Sequence, residues 1–241
     1  MRQQLPRKSG KTLRKGRLSP MRLFDVLGPV MIGPSSSHTA GAAKIGYTAQ
    51  KLLGEVPAQA DIGLYGSFAT TGKGHGTDRA LVAGLLGMKP DDLRIPHSFE
   101  IAGEQGLDFQ VHPVELREAH PNTAVLTVEG ASGRKTCVQA ASTGGGRIRV
   151  DQLDGVAVSF TGIFNTLILR HWDVPGELAH LTKELSDGGI NIANMSLMRD
   201  RRGGSVMTIF EIDQPVPEAV REKLAQVPCV VSVIYYEKEG D

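Results

Sequence analysis

The sequence predicts an α+β protein of two unlike domains, and three observations carry that expectation. Helix-period and strand-period segments follow one another without the regular βαβ spacing of a parallel sheet. Glycine accounts for 29 of 241 residues, well above the usual share of about 7%, so many tight backbone positions are expected in turns or around a ligand. After a glycine-containing stretch at residues 154–162 the pattern changes to strand, helix, strand, strand, helix, strand, the ferredoxin-like βαββαβ order. The expected division is a basic tail at 1–20, a mixed α and β domain at 21–153, a linker at 154–162 and a ferredoxin-like domain at 163–241.

In chain order, Ile45, Ala49, Leu52 and Leu53 make an i, i+4, i+7, i+8 stripe, an amphipathic helix from Ala40 to Leu53 ended by Gly54 and Pro57. Asp61 to Phe68 alternates as a strand and runs into a glycine-rich loop, Gly72-Lys73-Gly74-His75-Gly76-Thr77-Asp78. A second helix is expected from about Arg79 to Leu86. The segments Phe99–His112, Ala124–Val128 and Lys135–Ala141 read as β, and Ser142–Gly146 turns the chain into a strand at Arg147–Val150. In the second domain strands are expected at Thr166–Trp172, Ile190–Met198, Ser205–Ile212 and Val230–Tyr236. A helix carrying Leu178, Leu181 and Leu185 follows the first strand, and Pro217–Ala225 makes another.

The charge balance is uneven. The first twenty residues hold seven basic side chains and no acid, which leaves 20 basic and 26 acidic residues in the remainder, a net of −6. A body of that sign argues against nucleic acid as the main partner. The tail lacks the apolar core of a secretion signal and reads as a disordered segment, a transit-like peptide or an extension upstream of Met21. Two cysteines, Cys137 and Cys229, exclude a disulfide framework and suit a reducing, cytoplasmic compartment.

Two clusters can carry chemistry. Gly33-Pro34-Ser35-Ser36-Ser37-His38-Thr39 precedes a helix, where hydroxyls and free N–H groups favour a carboxylate. Its histidine could transfer protons near neutral pH, or the group could be an ordinary serine cap with a solvent-facing histidine. The Gly72–Asp78 segment fails both the phosphate-loop and the dinucleotide spacing, leaving a histidine flanked by glycines that a small ligand can approach closely. Asp78 could orient His75 or cap the next helix. His120-Pro121-Asn122-Thr123 and Ser142–Gly146 have ordinary turn chemistry. No His, Cys and carboxylate set has metal-ligand spacing, and two cysteines 92 positions apart cannot hold an iron–sulfur cluster.

Five stretches together resemble a known family: residues 24–46 (FDVLGPVMIGPSSSHTAGAAKIG), 64–87 (LYGSFATTGKGHGTDRALVAGLLG), 120–124 (HPNTA) and 142–146 (STGGG), and the half-domain HWDVPGELAHLTKELSDGGINIANMSL. The first four resemble the β subunit of bacterial iron–sulfur-dependent L-serine dehydratase (L-serine deaminase). Residues 165–236 resemble an ACT domain. The first domain is also similar to the allosteric substrate-binding domain of some phosphoglycerate dehydrogenases. Asn165 stands where proline would be expected before the first ACT strand, and the basic tail is extra.

The resemblance implies a lyase that converts L-serine to pyruvate and ammonia without pyridoxal phosphate, in serine catabolism that feeds gluconeogenesis. It implies a [4Fe–4S] cluster whose open iron accepts the leaving hydroxide, with its cysteines on a separate α subunit of a heterodimer. His38 and His75 would be catalytic, one as base and the other as orienting or acid group. Ser36, Ser37, Thr39, Lys73, Gly74, Thr77, Asp78 and Asn122 would bind L-serine. In the ACT domain Asp173, Pro175, Gly176, Gly188, Asn191 and Asn194 would bind a small amino acid, usually across a homodimer interface, or the domain would only dimerise. A second reading is a non-catalytic sensor that binds serine through both domains; the two histidines favour the lyase. Neither nucleic acid nor a membrane is an expected partner.

Overall fold

A computed structural model of the protein describes residues 30–238. The basic tail at 1–20 and the opening of the 24–46 motif lie outside the described residues. The chain folds into a six-stranded and a four-stranded sheet, each with helices packed on it.

The first domain begins with a π-helical turn at Ser36–Ala40 that runs directly into helix α1 (Gly41–Leu53). Strand β1 (Pro57–Gly66), helix α2 (Ser67–Thr71), a 3-10 turn at Gly72–His75 and helix α3 (Thr77–Leu85) follow. Helix α4 (Ser98–Gln105) leads to β2 (Asp108–Pro113), and a meander of β3 (Asn122–Gly130), β4 (Lys135–Gly144), β5 (Arg147–Leu153) and β6 (Val156–Phe160) completes the sheet. The strand order is β2-β1-β3-β4-β5-β6, antiparallel except for the β1–β2 pair.

Helix α1 lies across β3, β4 and β5, and α3 packs on its other side. Helix α1 is therefore buried almost all round, with only a strip through Lys44, Tyr47, Gln50 and Lys51 reaching water. Room for this sandwich comes from small residues. A Cβ on Gly46 would lie 2.1 Å from the Leu81 carbonyl oxygen, and one on Gly84 would lie 2.1 Å from that of Ala43. The two helix backbones touch, and nothing larger than glycine fits between them.

Three elements differ from the sequence reading. Phe99 and Ile101 mimic strand alternation, yet Ser98–Gln105 is helical and only Asp108–Pro113 is strand. Ala102 is fully buried, Phe99 stacks on Phe109 at 5.0 Å, and Gly106 closes the helix in the left-handed conformation (φ +77°). The stretch read as a linker contains β6, whose alternating Val158 and Phe160 are buried. The glycine-rich segment read as a loop is mostly helical turn, because β1 ends at Gly66 and not at Phe68.

The second domain follows the expected order: β7 (Asn165–Trp172), α5 (Glu177–Asp187), β8 (Ile192–Arg199), β9 (Ser205–Ile212), α6 (Glu218–Gln226) and β10 (Val230–Tyr236). Its sheet order, β10-β7-β9-β8, is that of a ferredoxin-like fold. One face of the sheet packs Leu167, Leu169 and Phe210 against Leu181, Leu185 and Leu224 of the helices. From the other face Ile168, Met207 and Ile209 join the core of the first domain. Central strand β9 is buried on both faces for this reason, which explains its nearly unbroken burial. Asn165, the departure from the expected proline, is buried, and its Oδ1 accepts from the Tyr235 hydroxyl and the Lys238 N–H at 3.2 Å each.

The helix contact gives a matched pair of expectations. Gly46→Ala or Gly84→Ala gains up to about 1 kcal/mol of helix propensity but drives a methyl into backbone. Overpacking of this kind costs about 1–3 kcal/mol, so urea denaturation should show a net loss of stability. Gly103→Ala in α4, where a Cβ meets nothing within 4 Å, should be neutral or stabilising. Equal effects at all three positions would mean that the α1–α3 contact is looser than described.

Candidate active site

The β-sheet register gathers the sequence motifs at one end. Gly66, the last residue of β1, pairs with Asn122, the first of β3. Thr123 pairs with Ala141, so β4 delivers Ser142–Gly146 to the same end. The Gly146 N–H donates to the Ser36 carbonyl at 3.1 Å, and the Ser67 N–H to the Pro121 carbonyl at 2.7 Å. Gly66 has φ +58°, and a Cβ there would lie 2.7 Å from the Pro121 carbonyl oxygen. A side chain at this position would push the 120–123 turn away from α2.

Helices α1 and α3 start at this same end, and the turns that lead into them, Ser36–Ala40 and Gly72–His75, carry His38 and His75 with ring centroids 4.9 Å apart and planes tilted by 36°. Two reciprocal hydrogen bonds fasten the turns together. The Thr39 hydroxyl donates to the His75 carbonyl at 2.9 Å, and the Thr77 hydroxyl donates to the His38 carbonyl at 2.9 Å. Both threonines are buried. Having given their protons to backbone, they position the histidines and have none to offer a substrate carboxylate.

Ser35, not one of the serines after it, caps the helix, its Oγ accepting the His38 N–H at 3.0 Å. His38 is half-buried and does not simply face solvent. Its Nε2 lies 3.0 Å from Ser67 Oγ and 3.1 Å from Thr71 Oγ1, and its ring meets the buried Phe68 edge-on at 5.4 Å. The Thr71 hydroxyl donates to the Ser67 carbonyl at 2.9 Å, so its oxygen is open to accept from His38 Nε2–H or from the Ser67 hydroxyl, each 3.1 Å away. His75 Nδ1 stands 3.0 Å from the Thr71 carbonyl. A carbonyl only accepts, so the neutral ring carries its proton on Nδ1 and presents Nε2 as a lone pair.

Burial, followed by the adjacent His75 charge, lowers the His38 pKa from its usual 6.5, against an opposing hydrogen bond at Ser67. Ser67 and Thr71 were not among the sequence-derived candidates. Their signal was the i, i+4 spacing Ser67–Thr71–His75, visible only if that stretch is read as helix.

The other candidates divide. Ser36 and Ser37 sit in the first helical turn, and their hydroxyls make no hydrogen bond among the described residues. Lys73 and Gly74 are exposed beside His75, and Asn122 borders Gly66 across the β1–β3 pair. Asp78 does not orient His75. Its Oδ1 accepts the Arg79 N–H at 2.8 Å in the first turn of α3, and the Thr71 carbonyl takes the orienting place.

The six effector candidates are not brought together within one chain. Asp173 accepts from the Gly203 N–H at 2.9 Å and from Arg199 at 3.1 Å, and Pro175 and Gly176 follow it. Asn191 and Asn194 reach Asp213 and Glu211 at 3.1 and 2.9 Å. The length of β9, about 23 Å at 3.3 Å per residue, separates the Asp173 end from the end holding Gly188, Asn191 and Asn194. Among the described residues no three His, Cys, Asp or Glu side chains converge as a metal set, and no helix is long and apolar enough to cross a membrane.

The His38–His75 coupling can be read by NMR titration of the imidazole protons. His75→Gln removes a like charge, so His38 should titrate at higher pH than in the parent, with burial still holding it down. An unchanged or lower His38 midpoint would show that the rings do not sense each other.

Comparison with known proteins places both domains in known families. The serine dehydratase beta chain family matches residues 22–104, and the ACT domain family matches residues 165–229. The "L-serine dehydratase, beta chain" of Peptoniphilus asaccharolyticus is 36% identical over 215 residues, covering 89% of this chain and 97% of that one. The "Probable L-serine dehydratase, beta chain" of Bacillus subtilis is 37% identical over 211 residues, covering 88% and 96%. An "L-serine dehydratase" of Mycobacterium tuberculosis is 31% identical over 157 residues, which cover 55% of this chain and 34% of that longer protein. With near-complete coverage of two relatives and an ACT domain in the expected place, the chain belongs to the L-serine dehydratase β-chain family.

Proposed function

We propose that the chain is the β subunit of an L-serine ammonia-lyase that acts with an α subunit to convert L-serine into pyruvate and ammonia. The observation that carries this reading is the pair of facing imidazoles beside two unengaged serine hydroxyls. A serine sensor needs donors for the carboxylate but has no use for a base with an open lone pair next to them.

In this reading the substrate carboxylate sits on the Ser36 and Ser37 hydroxyls and the first-turn N–H groups, where the helix dipole favours negative charge. Lys73 adds a mobile cation at the rim, and Gly74 and Asn122 complete the wall. His75 Nε2 takes the α-proton, because the Thr71 carbonyl keeps the other ring nitrogen protonated. His38 is the orienting group. Its lowered pKa keeps it neutral near pH 7, so it does not oppose the positive charge that His75 acquires. Thr39 and Thr77 hold the two rings in register.

The [4Fe–4S] cluster implied by the family does not fit the described residues of this chain. Cys137 lies on β4 of the first sheet and Cys229 precedes β10 of the second, and no ligand set forms around either. Its ligands would come from the α subunit, in a cytoplasmic heteromer. A second copy of the chain would be needed to join the two separated halves of the ACT effector site.

The test is anaerobic co-expression with an α subunit and assay of serine-dependent pyruvate formation. His75→Ala should lower kcat by about 10²–10⁴-fold, the usual worth of a positioned acid–base group. His38→Ala should cost a smaller factor, with iron and sulfide content unchanged in both. Full turnover in both variants would leave the chain a scaffold or sensor.

A further inference from the structure

A cavity of about 440 Å³ lies between the two domains, at the end of α1 opposite His38. Five cationic side chains line it, Lys51, Arg134 and Lys135 from the first domain and Arg170 and Arg221 from the second, and Asp154 is the one acid among the lining residues. The acids paired with these cations offset only part of this. Lys135 pairs with Glu129 at 2.8 Å, Arg170 with Asp154 at 3.4 Å, and Arg221 with Glu218. Five cations against three carboxylates leave two positive charges in excess.

The remaining contacts neutralise nothing. Arg134 Nη1 donates to the Leu53 carbonyl at 2.9 Å and so closes the end of α1. Lys51 Nζ stands 5.4 Å above the Tyr47 ring, and the Arg221 guanidinium lies 4.8 Å above the Tyr235 ring. Arg221 Nε is buried with no acceptor. A buried guanidinium N–H without a partner is costly, and like charges drawn from two domains to one cavity repel. An anion in the cavity relieves the repulsion.

We infer that this interdomain cavity binds a small multivalent oxyanion, a phosphate ester or a di- or tricarboxylate, held between the Arg170 and Arg221 guanidiniums of the second domain and Lys51 and Lys135 of the first. Its volume falls in the usual range for a small-molecule site, about 300–1,000 Å³, and guanidinium groups match the planar or tetrahedral oxygens of such anions. The inference is independent of the reaction assigned to His38 and His75, because α1 separates the two places by about 20 Å at 1.5 Å per residue.

The test uses the full chain with sodium pyrophosphate, sodium citrate and sodium chloride at matched ionic strength, read by calorimetric titration and by thermal unfolding. Pyrophosphate or citrate should bind with a Kd below about 1 mM and raise the melting temperature, which chloride should not do; the tighter of the two identifies the ligand class as phosphate or carboxylate. Affinity should fall about tenfold or more in Arg170→Gln/Arg221→Gln. Should that double variant not fold, Lys51→Gln decides, since Lys51 is exposed and makes no ion pair among the described residues. Equal stabilisation by chloride, absence of saturable binding to either oxyanion, or unchanged affinity in a folded variant would overturn the inference.

Discussion

Helices α1 and α3 meet backbone to backbone at Gly46 and Gly84, and the rest of the first domain depends on that contact. His38 lies eight residues before Gly46, and His75 lies nine before Gly84. Both stand in the turns that lead into the two helices, at the same end of the pair. The distance between the imidazoles is thus set by how closely two helix axes can approach, and the two threonine hydrogen bonds then fix their rotation. Because glycine carries no side chain, the approach is limited by backbone atoms, which tolerate little slack.

The same end of the molecule concentrates unsatisfied donors. Two helix N-termini and two serine hydroxyls converge where the strand ends deliver the 120–123 and 142–146 turns. Such a surface favours an anion before any particular substrate is considered. What distinguishes it from a plain anion site is the proton arrangement. Thr71 contributes its hydroxyl oxygen to one ring and its carbonyl to the other, and that carbonyl sets the tautomer of His75. Residues that never touch the substrate can in this way decide which nitrogen is able to accept a proton.

The two domains are joined more tightly than a linker would allow. Strand β6 takes up the stretch between them, and Ile168, Met207 and Ile209 of the second sheet complete the core of the first. The face of an ACT sheet opposite its helices is here covered by the partner domain of the same chain. Strand β10 of the second domain packs on α1, and α1 follows directly from the turn that holds His38.

Local signals in the sequence determined the βαββαβ order of the second domain, the α1 stripe and the two histidine motifs, because periodicity and glycine punctuation act within a few residues. The helix at Ser98–Gln105 was hidden because Phe99 and Ile101 alternate as a strand would, while the deciding contacts, Phe99 on Phe109 and on the Arg79 guanidinium, come from elsewhere in the chain. Ser67 and Thr71 were missed for a related reason: their role exists only once Gly66 ends β1 and the next residues coil. Thr39, Thr77 and Asp78 have the residue types of a binding site, but their actual partners are backbone groups, on the facing turn for the threonines and on the next residue for Asp78. The sequence by itself determined which chemical groups this protein owns and which segments carry them. Only the tertiary structure decided which groups face one another and which protons are already committed, because those are matters of distance between residues some thirty to forty positions apart in the chain.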